Sequence, residues 1–376
     1  MIVLSMLTTL CALAAAPAGQ LAFVAGTNQE DQTVTVLDFG TEVQRPVGPG
    51  RRDGAPHWSP NGEWLTFESQ VEGGLGIFIA AAEGGSVRML PTAHNWNFDP
   101  RWSTDGCRRA VCAQNICGRY LIYSSDVGEG IQHELMVYDL QAEEESAWGG
   151  GATGLRRPAW LPTIGLARAL QAEQIEWEGV DTAQFMEELQ SVGGILAIQI
   201  VASNETLGTE LVLVTQSHAV PLLALITEDE DRYHEWAVVP DRLAQRMAFE
   251  STRGGDREVF VLHRRGLTNV SNHRAADWNP VWSPTGNWLA FESFRSGRRG
   301  VYRVFPDTAL VEVIDASPIY SAWAPTWSPG GDWIAYVSDA TGTPQIHLRD
   351  PKGRNPRQLT EAPGYHVAPA WRPEVR

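Results

Sequence analysis

Apolar and polar residues along this chain alternate in short runs, and a cluster of turn-forming residues closes each run. In WSPTGNWLAFES (282–293) the stretch Ser283-Pro284-Thr285-Gly286 reads as a turn, because proline fixes φ and glycine accepts φ > 0. The following WLAFES then reads as a short, aromatic-rich strand. A second turn, RSGRRG (295–300) or DATGTP (339–344), leads into VYRVF or QIHLRD, and a third, DPKGRNP (350–356), leads into RQLT. Strands separated by turns at about 8–12-residue spacing predict an all-β fold. A helical period appears in one place, inside a partly helical insertion at about 170–194 (LQAEQIEWEGVDTAQFMEELQSVGG). There Asp181 is placed to cap a helix over 182–192, with Phe185, Met186, Leu189 and Val192 near one face. That helix either packs against the β fold or docks a partner.

The same unit recurs as PHWSPNGEWLTFES (56–69), PVWSPTGNWLAFES (280–293) and PTWSPGGDWIAYVS (325–338). Weaker copies begin at Pro100, Pro158 and Pro369, and EWAVVPDRLAQRMAFES supplies another at Trp236. The anchoring tryptophans are then Trp58, Trp102, Trp160, Trp236, Trp282, Trp327 and Trp371, spaced 44, 58, 76, 46, 45 and 44 residues apart. A period near 45 with two expanded units predicts a four-stranded blade repeated around an axis, a β-propeller. The last copy, PAWRPEVR, stops where its second strand is due, and residues 19–40 (GQLAFVAGTNQEDQTVTVLDFG) read as the missing remainder. Joining Trp371 to Leu21-Ala22-Phe23 completes a seventh unit, so the N- and C-terminal segments are predicted to close a seven-bladed ring.

These motifs resemble the TolB-type β-propeller repeat, in which P-x-W-S-P-D-G-x-x-I-A-F-x-S follows an L-T pair. The match is best over 266–304 and 311–360, where Leu267-Thr268 and Leu359-Thr360 supply the L-T, and poorest between 161 and 235. The Asp of S-P-D-G survives as Asp105 and is Asn61, Thr285 and Gly330 elsewhere. The resemblance implies six blades, which makes six the fallback to the seven counted here. It also implies a non-enzymatic, exported binding or scaffold protein that acts through protein–protein interaction at the cell envelope, by way of its channel-mouth loops.

Composition narrows the partner. With 45 acidic and 29 basic residues the chain carries a formal charge of −16, which argues against nucleic acid, whose binding is driven by Lys and Arg. Residues 2–16 are uncharged and mostly apolar, and a run of about 15 is short of the ~20 needed to span a membrane. Small residues at Ala16-Pro17-Ala18 suit signal peptidase, so 1–18 is read as a signal peptide, with a buried first strand as the alternative. The remainder, 19–376, is expected to be one propeller, periplasmic or secreted and not integral to the membrane. Cys107, Cys112 and Cys117 share the short segment 107–117, which is read as an insertion stapled by one disulfide, against a redox or metal role.

No G-x-S-x-G elbow or complete zincin motif is present, and Gly149–Gly154 matches G-x-G-x-x-G without a strand–helix context, so no catalytic residue, metal or cofactor is assigned. The repeated Glu68, Glu250 and Glu292 of F-E-S are expected to be structural, paired with arginines such as Arg253 or Arg295. In a propeller, the loops before the innermost strands lie around one channel mouth. Here they offer His94, Trp96, Asp99, Asp277, Trp278, Tyr320, Trp323, Tyr365 and His366. Such a set can grip a protein or peptide segment through aromatic anchors, or its tryptophans can pack between blades. It can also stack on sugars, which gives the alternative of a carbohydrate-binding or polysaccharide-lyase-like propeller. Related repeats occur in oligogalacturonate lyases, where a histidine cluster binds metal, and His57, His94, His273 and His366 are expected near this end of the ring.

Overall fold

The computed structural model describes residues 16–28, 30–104, 118–128, 132–161, 180–191, 194–202, 207–222, 233–242, 245–263 and 266–374. The cysteine segment 107–117 and nearly all of the leader lie outside these residues. The strands form seven four-stranded antiparallel sheets, each meandering outward from an innermost strand. The innermost strands are Tyr365–Trp371 (blade one), His57–Trp58 (two), Asn97–Trp102 (three), Leu155–Leu161 (four), Glu235–Pro240 (five), Asp277–Trp282 (six) and Ala322–Trp327 (seven). Each touches the innermost strands of both neighbouring blades, so the ring is closed. Seven blades, rather than the six that the resemblance implies, is the observed number.

Closure follows the register expected from sequence. Leu21 pairs with Trp371 and Ala22 with Ala370, so blade one takes its innermost strand from the C-terminal segment and three strands from the N-terminal segment. Apolar faces of adjacent blades interlock into seven buried clusters, one at each junction; Leu21, Phe23, Ala335, Val337 and Trp371 share one of them.

The W-S-P-x-G turn shows why the repeat needs those residues. Gly62, Gly286 and Gly331 sit at φ of 69°, 72° and 78°, and each donates its amide to the carbonyl of the serine three residues before. The serine hydroxyls of Ser59, Ser283 and Ser328 then accept the amides of Trp64, Trp288 and Trp333 at 3.0–3.1 Å, which fixes the entry to the second strand. The anchoring indoles lock neighbouring blades. Trp58, Trp102, Trp282 and Trp327 donate Nε1–H to the carbonyls of Ala370, His57, Val239 and Val281, each in the preceding blade, at 2.9–3.1 Å.

That pattern corrects one anchor. Val239 holds the acceptor position in blade five, so Pro240, not Trp236, stands where the other blades have their tryptophan. Trp236 lies four residues earlier and is the counterpart of Trp278 and Trp323. The spacing of 46 to Trp282 imitated the period because a tryptophan occupies both positions in blade six.

The insertion in blade four carries helix α1 (Thr182–Ser191), capped by Asp181, whose Oδ1 accepts the amides of Ala183 and Gln184 at 3.1 Å. Phe185 and Leu189 are buried among Leu196, Leu213, Phe249 and Leu262, so the helix seals the junction between blades four and five.

Candidate functional site at the channel mouth

Each innermost strand except the short one of blade two carries a bulge in its first half. At the bulge one residue turns to positive φ: Asp99 (53°), Arg157 (51°), Ala237 (47°), Asn279 (53°), Ala324 (51°) and Ala368 (53°). Its amide leaves the ladder and faces the preceding blade. In three junctions a glutamate of that preceding blade receives it. Glu68 accepts from Asp99 N at 3.0 Å, Glu250 from Asn279 N at 2.7 Å and Glu292 from Ala324 N at 2.9 Å. These are the F-E-S glutamates, and their role is to latch one blade to the next.

Their arginine partners differ from those expected. Glu250 binds Arg257 at 2.6 Å and Glu292 binds Arg299 at 3.0 Å, each arginine coming from the adjoining hairpin. Arg253 and Arg295 instead fold over Ser251 and Ser293 to reach Glu235 at 2.6 Å and Asp277 at 2.9 Å. Strand alternation separates the two sets: Glu250 and Glu292 point to the next blade, while Ser251 and Ser293 point the other way.

The residue before each bulge builds the mouth. Trp236, Trp278 and Trp323 occupy equivalent positions on blades five, six and seven and are all half-buried. The Arg257 guanidinium lies 4.4 Å from the Trp236 ring centroid, and that of Arg299 stands between Trp278 (5.7 Å) and Trp323 (5.3 Å). Glu292, which is 1% exposed, holds Arg299 in that place and also accepts from Asn279 Nδ2 at 2.7 Å. His234 stacks on Trp236 at 5.6 Å and Phe294 packs on Trp278 at 4.8 Å. Phe294 (45% exposed) and Ile319 (80%) extend this apolar surface outward.

The other candidates fall elsewhere on the same end. Trp96 is 49% exposed and lies over Phe98 on blade three, with ring centroids 6.5 Å apart. His94 is half-buried, and its carbonyl accepts from Asn97 Nδ2 at 2.8 Å. Asp99 gives its amide to Glu68. Tyr365 is exposed at the rim of blade one. Asp277 and His366 are buried beneath the rim, Asp277 on Arg295 and His366 against Phe23, so their side chains are not on the binding surface. Tyr320 donates to Asp315 at 2.9 Å, in a network with Tyr336 and Arg349. Among the described residues no three His, Cys, Asp or Glu side chains are grouped to hold a metal ion, which leaves the four histidines dispersed. Arg257 and Arg299 were not expected here, and Trp236 was expected as a blade anchor and not as a rim residue. The signal was present in the parallel triplets Glu235-Trp236-Ala237, Asp277-Trp278-Asn279 and Ala322-Trp323-Ala324, and in an arginine seven residues after Glu250 and Glu292.

Burial shapes the electrostatics of this end. It pushes the carboxyls of Glu68, Glu235 and Glu250 above their ordinary values, against the pull of their hydrogen bonds and, for Glu235 and Glu250, of paired arginines. Glu258, which accepts from His273 N at 2.9 Å and from Ser271, is pushed up to about 7 by burial, with the neighbouring Asp277 carboxylate adding to the rise. Burial and the Arg101 guanidinium together hold His57 well below the usual imidazole range, so its Nε2 is an acceptor for Arg101 Nη1 at 2.7 Å.

No family model matches the chain. It is 31% identical over 133 residues to an uncharacterised protein of Agrobacterium fabrum, a match spanning 34% of this chain and 42% of that protein. It is 31% identical over 65 residues to the Tol-Pal system protein TolB of Desulfosudis oleivorans, spanning 17% of this chain and 15% of that protein. The matches therefore span less than half of either relative's length. Among solved structures, TolB from Acinetobacter baumannii superposes with a TM-score of 0.55 at 15% identity, over 95% of this chain and 67% of that one. The propeller domain of the Trilobed protease from Pyrococcus furiosus gives 0.61 at 11% identity, over 92% and 96%. Acylaminoacyl peptidase from Pyrococcus horikoshii gives 0.57 at 13% identity, over 91% of this chain and 51% of that one. The fold is a TolB-like seven-bladed β-propeller, of a kind that also occurs in peptidases.

Proposed function

We propose that this protein is an exported, non-enzymatic binding propeller that captures an extended segment of an envelope protein at the mouth of its channel. The observation that carries the reading is the row of Trp236, Trp278 and Trp323 with guanidiniums set against them. Arg299 is fixed between two indoles by a buried glutamate, so the aromatic faces and the cation are positioned before any ligand arrives. Pre-organisation of this kind limits the ordering cost of binding, and tryptophan and arginine are the side chains that most often dominate interface energy. The exposed Phe294 and Ile319 continue the surface beyond the mouth. The similarity to TolB proteins supports a partner in the envelope, and the net charge of −16 disfavours nucleic acid.

Selection of extended peptides from a random display library against the propeller tests this reading. Binders are expected to lose at least about tenfold in affinity, the cost of about one anchor, when Trp278 and Trp323 are both changed to Ala. Undiminished binding to that variant, or selective capture of oligosaccharides instead of peptides, overturns it.

A further inference from the structure

Six innermost strands turn a bulge residue to positive φ, and the side chain that the preceding blade sets at the matching register position differs from junction to junction. Glu68, Glu250 and Glu292 supply a carboxylate at the junctions two–three, five–six and six–seven. At four–five and seven–one the same register position holds a buried branched apolar residue, Ile198 or Val337, which carries no polar group to be left unpaired. At three–four it holds Ser124, opposite Phe98 as Glu292 is opposite Trp278. A serine oxygen stands where the glutamates have Cγ, so the carboxylate itself is missing. Ser124 is fully buried and its Oγ has no hydrogen-bond partner among the described residues. The bulge residue at this slot is Arg157, at φ 51°, and no side chain among the described residues accepts from its amide.

Three arginines, Arg101, Arg156 and Arg157, come from the innermost strands of blades three and four, although the chain as a whole is strongly acidic. Arg157 is exposed and forms no ion pair within 4.0 Å among the described residues, although its charge also acts on Glu250 of blade five. Arg101, on the innermost strand of blade three, is oriented by His57 and by the Pro100 carbonyl at 3.0 Å. Glu68 of blade two and Asp99 of the same strand offset the charge of Arg101, and Arg157 acts on it as a like charge. Arg156 holds the position that carries tryptophan in blades five to seven, and its Nη2 lies 3.0 Å from His133 Nε2.

We propose that the slot between blades three and four binds a carboxylate from outside the chain, which takes the place a glutamate occupies in three other junctions. Its oxygens accept from the Arg157 amide and from Ser124 Oγ–H, and the Arg157 guanidinium balances its charge. Two sources share this chemistry: a free small carboxylate, and the C-terminus or an acidic side chain of a captured peptide. The second source rests on the function proposed above.

Backbone amide NMR and thermal unfolding of the whole chain provide the test, with acetate as probe and chloride at equal ionic strength as control. Acetate is expected to shift the Arg157 amide resonance in a saturable way and to raise the unfolding midpoint. Ser124→Glu, which installs the missing side chain, is expected to abolish both responses, and Arg157→Ala to weaken acetate by about tenfold, the loss of one charge-assisted contact. Ser124→Val, which copies Val337, is the second blocking variant and adds no charge. A peptide selected at the mouth and binding about tenfold better as its free acid than as its C-terminal amide assigns the site to the peptide; equal affinities assign it to free anions. No response to acetate, or a response that survives both Ser124 variants and Arg157→Ala, overturns the proposal. Peptide capture that is lost in the Trp278/Trp323 variant and intact in the Ser124 variants leaves the mouth reading standing without the carboxylate slot.

Discussion

Blades five to seven and blades two to four place the same backbone around the channel and dress it differently. In the first arc the residue before the bulge is tryptophan three times over, and carboxylate latches bind arginines that lie against the indoles. In the second arc that residue is Phe98 or Arg156 in the two bulged blades, the latch position holds Glu68 or Ser124, and arginines project from the innermost strands themselves. The bulge survives in blades three and four, so it is a property of the repeat, while the groups hung on it are free to diverge. One arc carries tryptophans before its bulges and the other carries arginines on its innermost strands, within a single ring.

The latches should separate the arcs most strongly. Glu292→Ala removes a buried carboxylate that binds Arg299, Asn279 and the Ala324 amide, and breaking such a buried pair is expected to cost about 3–5 kcal/mol in a denaturant melt. Ser124→Ala at the equivalent site should fall within about 0.5 kcal/mol of wild type, because Ser124 Oγ bonds to nothing among the described residues. Equal losses in the two variants would mean that the junctions are alike after all.

The next contrast is in pH. Glu258 titrates near 4.5 in the unfolded chain and about 7 in the fold, so between those values the folded state keeps a proton that the unfolded state has released. Stability from this group is complete below about 4.5 and is lost as pH rises through 7. Unfolding midpoints of wild type and Glu258→Gln, compared from pH 5 to pH 8 (about the range that brackets this titration), should converge on a flatter profile in the variant. Ser271, His273 and Asp277 surround the group, so the same slope should persist in Arg157→Ala, which lies in the opposite arc.

Smaller effects test the anchors. Trp282→Phe forfeits the bond to the Val239 carbonyl and should cost about 1–2 kcal/mol, whereas Trp371→Phe should cost less, since its Nε1 has no partner in the described ring. Smallest is the helix cap: Asp181→Ala should lower stability by about 1 kcal/mol by thermal unfolding, since Phe185 and Leu189 retain their packing.

The period of the repeat and the pairing of Leu21 with Trp371 were legible because turns, anchors and apolar alternation are local features repeated many times. Trp236 was misplaced because two tryptophans four residues apart serve different roles in blade six, and only the indole-to-carbonyl bonds tell them apart. Trp278 and Trp323 were legible as rim residues, but the choice of Arg257 and Arg299 over Arg253 and Arg295 depends on which way a hairpin folds its side chains. Asp277 and His366 share the spacing of rim residues yet point inward, an orientation set by the bulge that follows them. The Ser124 slot was invisible because it is defined by what neighbouring blades possess at the same register.

The closing strand has a consequence for biosynthesis. Because Tyr365–Trp371 supplies the innermost strand of blade one, the segment Gln20–Pro46 emerges from the ribosome or a translocation pore long before its partner. Until then that early sheet presents a bare hydrogen-bonding edge lined by Leu21, Phe23 and Val24. Final assembly is therefore timed by the last strand described, and a helper that shields one edge for the duration of synthesis would act on blade one before any other.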